Sequence, residues 1–167
     1  MSNKFISVSE PRLSNKTSKY VLDCIKSEWI SSSGSYLEKF EKKWAKYCDQ
    51  KYAVSVTSGT AALIIALKAL NLKTGDEVIM PSFTIISCAI AVIEAGGKPV
   101  LVDCELDTWC MKTSEIKKKV NSRTRAILIV HMFGHPVNMD DIKKTIKGRK
   151  IVLVEDAAES HGSKFKN

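Results

Sequence analysis

Ala126, Ile127, Leu128, Ile129 and Val130 follow one another with no polar residue between them. A strand that buries one face alternates apolar and polar side chains, so an unbroken run needs cover on both faces. Shorter apolar runs lie within the strands expected at 77–80, 99–102 and 150–154. Between them lie segments of helical rhythm. Ser58-Gly59-Thr60 opens an apolar helix from Ala61 to Leu70, and Thr84 or Ser87 begins another that ends at Gly96-Gly97. Thr113 or Ser114 caps a short basic helix with Glu115 in its first turn, where the helix dipole favours an acid. Asn138 caps a helix from Met139 to Ile146. This alternation predicts an α/β fold with a mainly parallel sheet and helices on both faces.

The first third of the chain reads differently. Ser14 is placed to cap a helix reaching about Trp29, and Ser31 to Ser35 form a loop. Tyr36, Leu37, Phe40, Trp44 and Tyr47 then recur at helical spacing. Tyr52 to Val56 reads as a short strand. Internal repeats, low-complexity segments and linkers are lacking, so one domain is expected.

Composition narrows the function classes. The longest apolar run, Ala61 to Leu70, is interrupted by Lys68 and falls short of the roughly 20 residues that span a bilayer. The N-terminus has no apolar core followed by a small-residue cleavage site. A cytoplasmic chain without a membrane partner is expected. Cys24, Cys48, Cys88, Cys104 and Cys110 are odd in number, irregular in spacing and free of a CxxC pair. They read as reduced, mostly structural thiols, not as a disulfide scaffold or zinc site. The net charge of +8 gathers at Lys117, Lys118 and Lys119 and from Lys143 to Lys150. These runs carry no interleaved aromatics, so they read as solvated helix faces and not as a nucleic-acid surface.

In a parallel sheet, ligands sit beyond the carboxyl ends of the strands. That directs attention to Ser58-Gly59-Thr60, to Pro81 through Thr84, and to Glu155-Asp156. At Thr57 to Ala62 a glycine, hydroxyls and a helix start coincide. Free N–H groups and the dipole make such a place an anion site, commonly for phosphate; an ordinary cap uses the same residues. The segment is neither a P-loop nor GxGxxG. Asp156, at the tip of a buried strand, either pairs with a protonated ring nitrogen or binds nearby backbone and side chains. His131 and His135 lie four apart, but they leave a strand and enter a loop, so structural or substrate-contacting roles outweigh a metal site. No GxSxG nucleophile is present.

Taken together, these segments resemble the DegT/DnrJ/StrS family of nucleotide-sugar aminotransferases. The resemblance runs along the whole chain. It is carried by Ser27 to Gly34, Leu37 to Glu41, TSGTAAL at 57–63, GDEVI at 75–79, MPSFTIIS at 80–87, PVLVD at 99–103, HMFG at 131–134 and EDAAESHG at 155–162. MPSFTIIS and EDAAESHG are most similar to the perosamine-synthase branch, which makes a 4-amino-4,6-dideoxy sugar on GDP.

The resemblance implies the large domain of type I pyridoxal-phosphate-dependent transferases, with pyridoxal 5′-phosphate as cofactor. Gly59, Thr60 and Ala61 would hold the cofactor phosphate, and Asp156 the pyridine nitrogen. Ile85 falls where many members stack an aromatic ring. Glu159 falls where many carry a Gln bonded to the phenolic oxygen; an ionised Glu would repel a phenolate, so it shares a proton or points elsewhere. The family's Schiff-base lysine and small C-terminal domain match beyond Asn167, so residues 1–167 are expected to be the N-terminal part of the large domain, without turnover of their own. The sheet is expected to lack a strand supplied from beyond residue 167. The implied reaction moves an amino group from glutamate to a 4-keto-6-deoxy nucleotide sugar, in a protein that is a homodimer at full length. A related sugar dehydratase, with histidine in place of the lysine, and a non-catalytic remnant binding a phosphorylated ligand or a full-length partner are the alternatives.

Overall fold

The computed structural model describes residues 5–7 and 10–166. They form one compact unit that ends at Ser55 and another that begins at Val56.

In the N-terminal unit, α1 (Asn15–Lys26) starts after Ser14, as the sequence predicts. It stops short of Trp29 because Glu28 takes φ +61°, the left-handed conformation that commonly ends a helix. α2 (Ser35–Tyr47) carries the expected aromatic stripe. Phe40 stacks on Trp44 at 5.9 Å between ring centroids, and Trp44 meets Tyr47 at 5.4 Å. Tyr36 donates its hydroxyl hydrogen to Asp23 Oδ2 at 2.9 Å, tying α2 to α1. Residues 52–56 are not a strand. A strand exists only through pairing, and no strand lies against this segment among the described residues. Instead the Ser55 N–H and hydroxyl both donate to Glu41 Oε1, at 2.8 and 2.7 Å. Tyr52 and Val54 are exposed.

The C-terminal unit opens with α3 (Gly59–Lys68) and continues β1 (Glu77–Pro81), α4 (Ile86–Glu94), β2 (Lys98–Val102), α5 (Thr113–Lys119), β3 (Thr124–Val130), α6 (Met139–Ile146) and β4 (Val152–Asp156). The four strands form a wholly parallel sheet in the order β2-β1-β3-β4. β1 and β3 lie inside the sheet, and Ile79, Ile127, Leu128 and Ile129 are completely buried. Each such side chain contributes about 1.5–3 kcal/mol through removal from water. The edge strands differ from the sequence expectation of burial on both faces: Leu101 of β2 and Val152 of β4 are exposed. An apolar run reveals its faces but not whether a neighbour flanks it on each side.

Several boundaries shift. α3 starts at Gly59, two residues before Ala61, because Ser58 is its cap: Ser58 Oγ accepts from the Ala61 N–H at 3.2 Å. α4 starts between the two expected residues, with Ile85 at the cap position. Lys112, not Thr113 or Ser114, precedes α5. β4 begins at Val152, opposite Ala126, and runs on to Asp156, opposite Val130. Asn138 caps α6 as expected, accepting from the Asp141 N–H at 3.3 Å. Lys117, Lys118 and Lys119 fall in the last turn of α5, and Lys143 and Lys144 in that of α6, where the helix dipole favours cations.

Strand order fixes where a ligand can sit. The chain steps from β1 to β2 through α4, then returns across β1 to β3 through α5 and continues to β4 through α6. Right-handed crossovers in opposite directions place α4 on one face and α5 with α6 on the other. α3 packs on α4 and α5 on α6. The reversal between β1 and β3 opens a crevice at their carboxyl ends. No helix among the described residues is long and apolar enough to cross a membrane.

Candidate active site

The carboxyl ends of β1, β3 and β4 gather three segments that the sequence singled out. The first is the start of α3. Ser58 takes the Ala61 N–H, leaving those of Gly59 and Thr60 without an acceptor in the helix itself. An ideal Cβ at Gly59 would meet nothing within 4 Å, so the backbone there is open to close approach. Of the three residues expected to hold an anion, Gly59 and Thr60 thus offer free first-turn donors, while Ala61 serves the cap.

The second is the tip of β4. Asp156 is half-buried. Its Oδ1 accepts from the Ala158 N–H at 3.1 Å, and its Oδ2 accepts from the Cys88 thiol at 3.5 Å. Among the described residues no cation pairs with it. Its backbone carbonyl accepts from the His131 N–H at 3.2 Å, which extends the β3–β4 seam by one rung.

The first turn of α4 joins these two places. Thr60 donates its hydroxyl hydrogen to Ser87 Oγ at 2.9 Å, and the next residue, Cys88, reaches Asp156. The helix start and the strand-tip acid therefore converge on one short piece of α4. Ile85, just ahead of that turn, is exposed and half-extended at φ −64°, ψ 142°. The sequence marks Ser87 as a possible helix start and Cys88 as a structural thiol, and neither as a site residue. Cys88 lies 68 positions from Asp156, and no local motif announces such a contact.

The third is the turn after β3, a 3-10 turn at Met132–Gly134. His131 is buried, and its Nδ1 accepts from the Val137 N–H at 3.1 Å. The proton is therefore on Nε2, which donates to Glu155 Oε2 at 3.2 Å. This hydrogen bond holds the Glu155 carboxyl below the usual carboxylate range. His131 is a clamp on the end of the sheet. His135 turns its Nδ1 to its neighbour's carbonyl, Pro136 O, at 3.0 Å. Among the described residues no group of three His, Cys, Asp or Glu side chains could hold a metal ion. Glu159 Oε2 accepts from the Phe133 N–H at 2.9 Å, so its carboxylate is engaged with this turn. Phe133 itself adopts φ +50°, a conformation uncommon outside glycine and associated with functional turns. Phe83, Trp109 and Phe133 form a tilted aromatic cluster here, with centroids 5.1 and 6.4 Å apart.

Comparison with known proteins decides the kinship. The DegT/DnrJ/EryC1/StrS aminotransferase family matches residues 11–167. The chain belongs to that family. A GDP-perosamine synthase of Escherichia coli O157:H7 is 44% identical over 163 residues, which cover 98% of this chain and 45% of the relative. A GDP-perosamine synthase of Caulobacter vibrioides is 40% identical over 161 residues, covering 96% and 43%. Among solved structures, the E. coli GDP-4-keto-6-deoxy-D-mannose-3-dehydratase with bound hydrated PLP superposes with a TM-score of 0.90 at 32% identity, covering 96% of this chain and 42% of that one. The chain thus spans less than half the length of these relatives. The parallel α/β sheet of this family member is that of PLP-dependent enzymes.

Proposed function

We propose that residues 1–167 are the N-terminal part of the PLP-binding large domain of a nucleotide-sugar aminotransferase. The activity would move an amino group, from glutamate, to a 4-keto-6-deoxy sugar on GDP, as in perosamine formation. One observation carries the reading: the first turn of α3, through the Thr60 hydroxyl, and the Asp156 carboxylate both bond to the opening turn of α4.

The residues present fit pyridoxal 5′-phosphate. The Gly59 and Thr60 N–H groups would bind its phosphate, supported by the dipole of α3. Asp156, an acid without a cation partner among the described residues, would keep the proton on the ring nitrogen. When bound, the cofactor supplies an electron sink, and a protonated ring nitrogen makes that sink effective. Ile85 would cover a ring face with an aliphatic side chain, without an aromatic stacking contribution. Glu159, engaged by the Phe133 N–H, would brace the turn after β3 and stand apart from the phenolic oxygen. Ala61 would act through the cap that aligns its two neighbours.

The test is binding of pyridoxamine 5′-phosphate, the amine form, which needs no lysine linkage. Titration calorimetry should show one site, weakened about tenfold or more by Asp156→Asn, since hydrogen bonds to charged groups contribute about 1.5–3 kcal/mol. Absence of binding, or binding indifferent to Asp156, would refute the reading. A sugar dehydratase is the second reading, favoured by the likeness to the E. coli dehydratase. Release of the sugar hydroxyl as water, in place of nitrogen transfer, would identify it in the full-length protein.

A further inference from the structure

The Asp156 carboxylate is held from two different elements. Its Oδ1 is tied by the Ala158 N–H in the turn beyond β4, and its Oδ2 by the Cys88 thiol from α4. A carboxylate with one tie can still swing about its Cβ–Cγ bond; a second tie on the other oxygen fixes its plane. Cys88 is completely buried. Thr84 Oγ1 lies 3.3 Å from its sulfur. The thiol has one hydrogen, directed at Asp156, so the Thr84 hydroxyl is the donor in that second contact. The helix that carries Cys88 is itself held at its opening by the Thr60–Ser87 hydrogen bond.

We propose that Cys88 is a positioning residue, whose S–H fixes the Asp156 carboxylate in the plane that a cofactor's ring nitrogen requires. The proposal rests on the PLP reading given above. Burial pushes the Cys88 thiol up to about 11; the Thr84 hydrogen bond opposes it, and the neighbouring Asp156 carboxylate adds to the rise. The sulfur therefore keeps its hydrogen at neutral pH and remains a donor. A purely packing role would need only the volume of the side chain. The positioning role needs the hydrogen.

The experiment compares two ligands and two variants of the chain. Pyridoxamine 5′-phosphate carries the ring nitrogen; its 1-deaza analogue has CH in that place and retains the phosphate. Cys88→Ser keeps a donor, and Cys88→Val keeps the bulk without one. Cys88→Val should weaken pyridoxamine 5′-phosphate by about three- to tenfold, the range for an ordinary hydrogen bond, since a thiol is a weak donor, and leave the deaza analogue unchanged. Cys88→Ser should stay within about twofold of the unaltered chain for both ligands. Equal weakening of both ligands by Cys88→Val, or none of either, would overturn the proposal. If the unaltered chain bound both ligands equally, the pairing of Asp156 with the ring nitrogen would fall, and this inference with it. Cys88→Ala, read in the same way, serves should the valine variant fail to fold.

Discussion

Gly75 and Gly134 both occupy left-handed backbone, at φ +91° and +85°. An ideal Cβ at Gly75 would meet nothing within 4 Å. At Gly134 it would lie 3.3 Å from the Glu159 carbonyl oxygen and 3.8 Å from Ser163 Oγ. Alanine at each position therefore separates a backbone effect from a contact. The left-handed conformation costs an L-residue about 1–2 kcal/mol. Alanine regains about 0.4–1 kcal/mol by restricting the unfolded chain. Gly75→Ala should then destabilise by about 1 kcal/mol. At Gly134 the Glu159 segment must also give by a few tenths of an ångström. Two hydrogen bonds tie that region together: Ser163 Oγ to Gly134 O at 2.7 Å, and the Phe133 N–H to Glu159 Oε2 at 2.9 Å. Loss of one adds about 1 kcal/mol, so Gly134→Ala should destabilise by about 2 kcal/mol in total. Urea unfolding followed by far-ultraviolet circular dichroism, with linear extrapolation, resolves that difference. Were Gly134→Ala no costlier than Gly75→Ala, the argument that this turn is locked against Glu159 would be wrong.

Two further outcomes follow from buried groups away from that turn. Glu77 is buried at the start of β1, and its carboxyl is held below its ordinary 4.5 by hydrogen bonds from Asn121 at 2.7 Å and Arg123 at 2.8 Å. A lowered folded-state value stabilises the fold above the unfolded value and loses that contribution as the pH drops through the folded one; urea midpoints should therefore decline on acidification below 4.5, and more shallowly in Glu77→Gln. Cys88, buried and with its thiol raised to about 11, should resist iodoacetamide at mildly alkaline pH while the exposed Cys48 is labelled, as mass spectrometry of digested protein would show; equal labelling would mean that the thiol is not sealed beneath Asp156.

The parts of this fold that were legible in the sequence are those governed by neighbours along the chain. The apolar run of β3, the Asn138 cap and the aromatic stripe of α2 each rest on local spacing, and each is present as expected. Strand pairing is a different matter. Tyr52 to Val56 has strand composition but no partner among the described residues, and Glu41 takes the Ser55 N–H instead. Ile151 continues the apolar pattern of β4 and the sequence predicts the strand from Lys150, yet pairing starts at Val152 because the register with Ala126 sets it. For the candidate site, helix-start and strand-tip logic pointed to Thr60 and Asp156 separately. Their joining through Ser87 and Cys88 depends on contacts across 27 and 68 positions, which no local rule encodes.

β4 is an edge strand, and Asp156 is its last rung. Among the described residues, backbone bonding reaches this aspartate from the β3 flank. Within these residues, the side-chain ties to Cys88 and to the Ala158 N–H add stiffness that the seam does not give. Mutations that loosen the outer helices could therefore blunt the chemistry of such a site while leaving its hydrophobic interior intact.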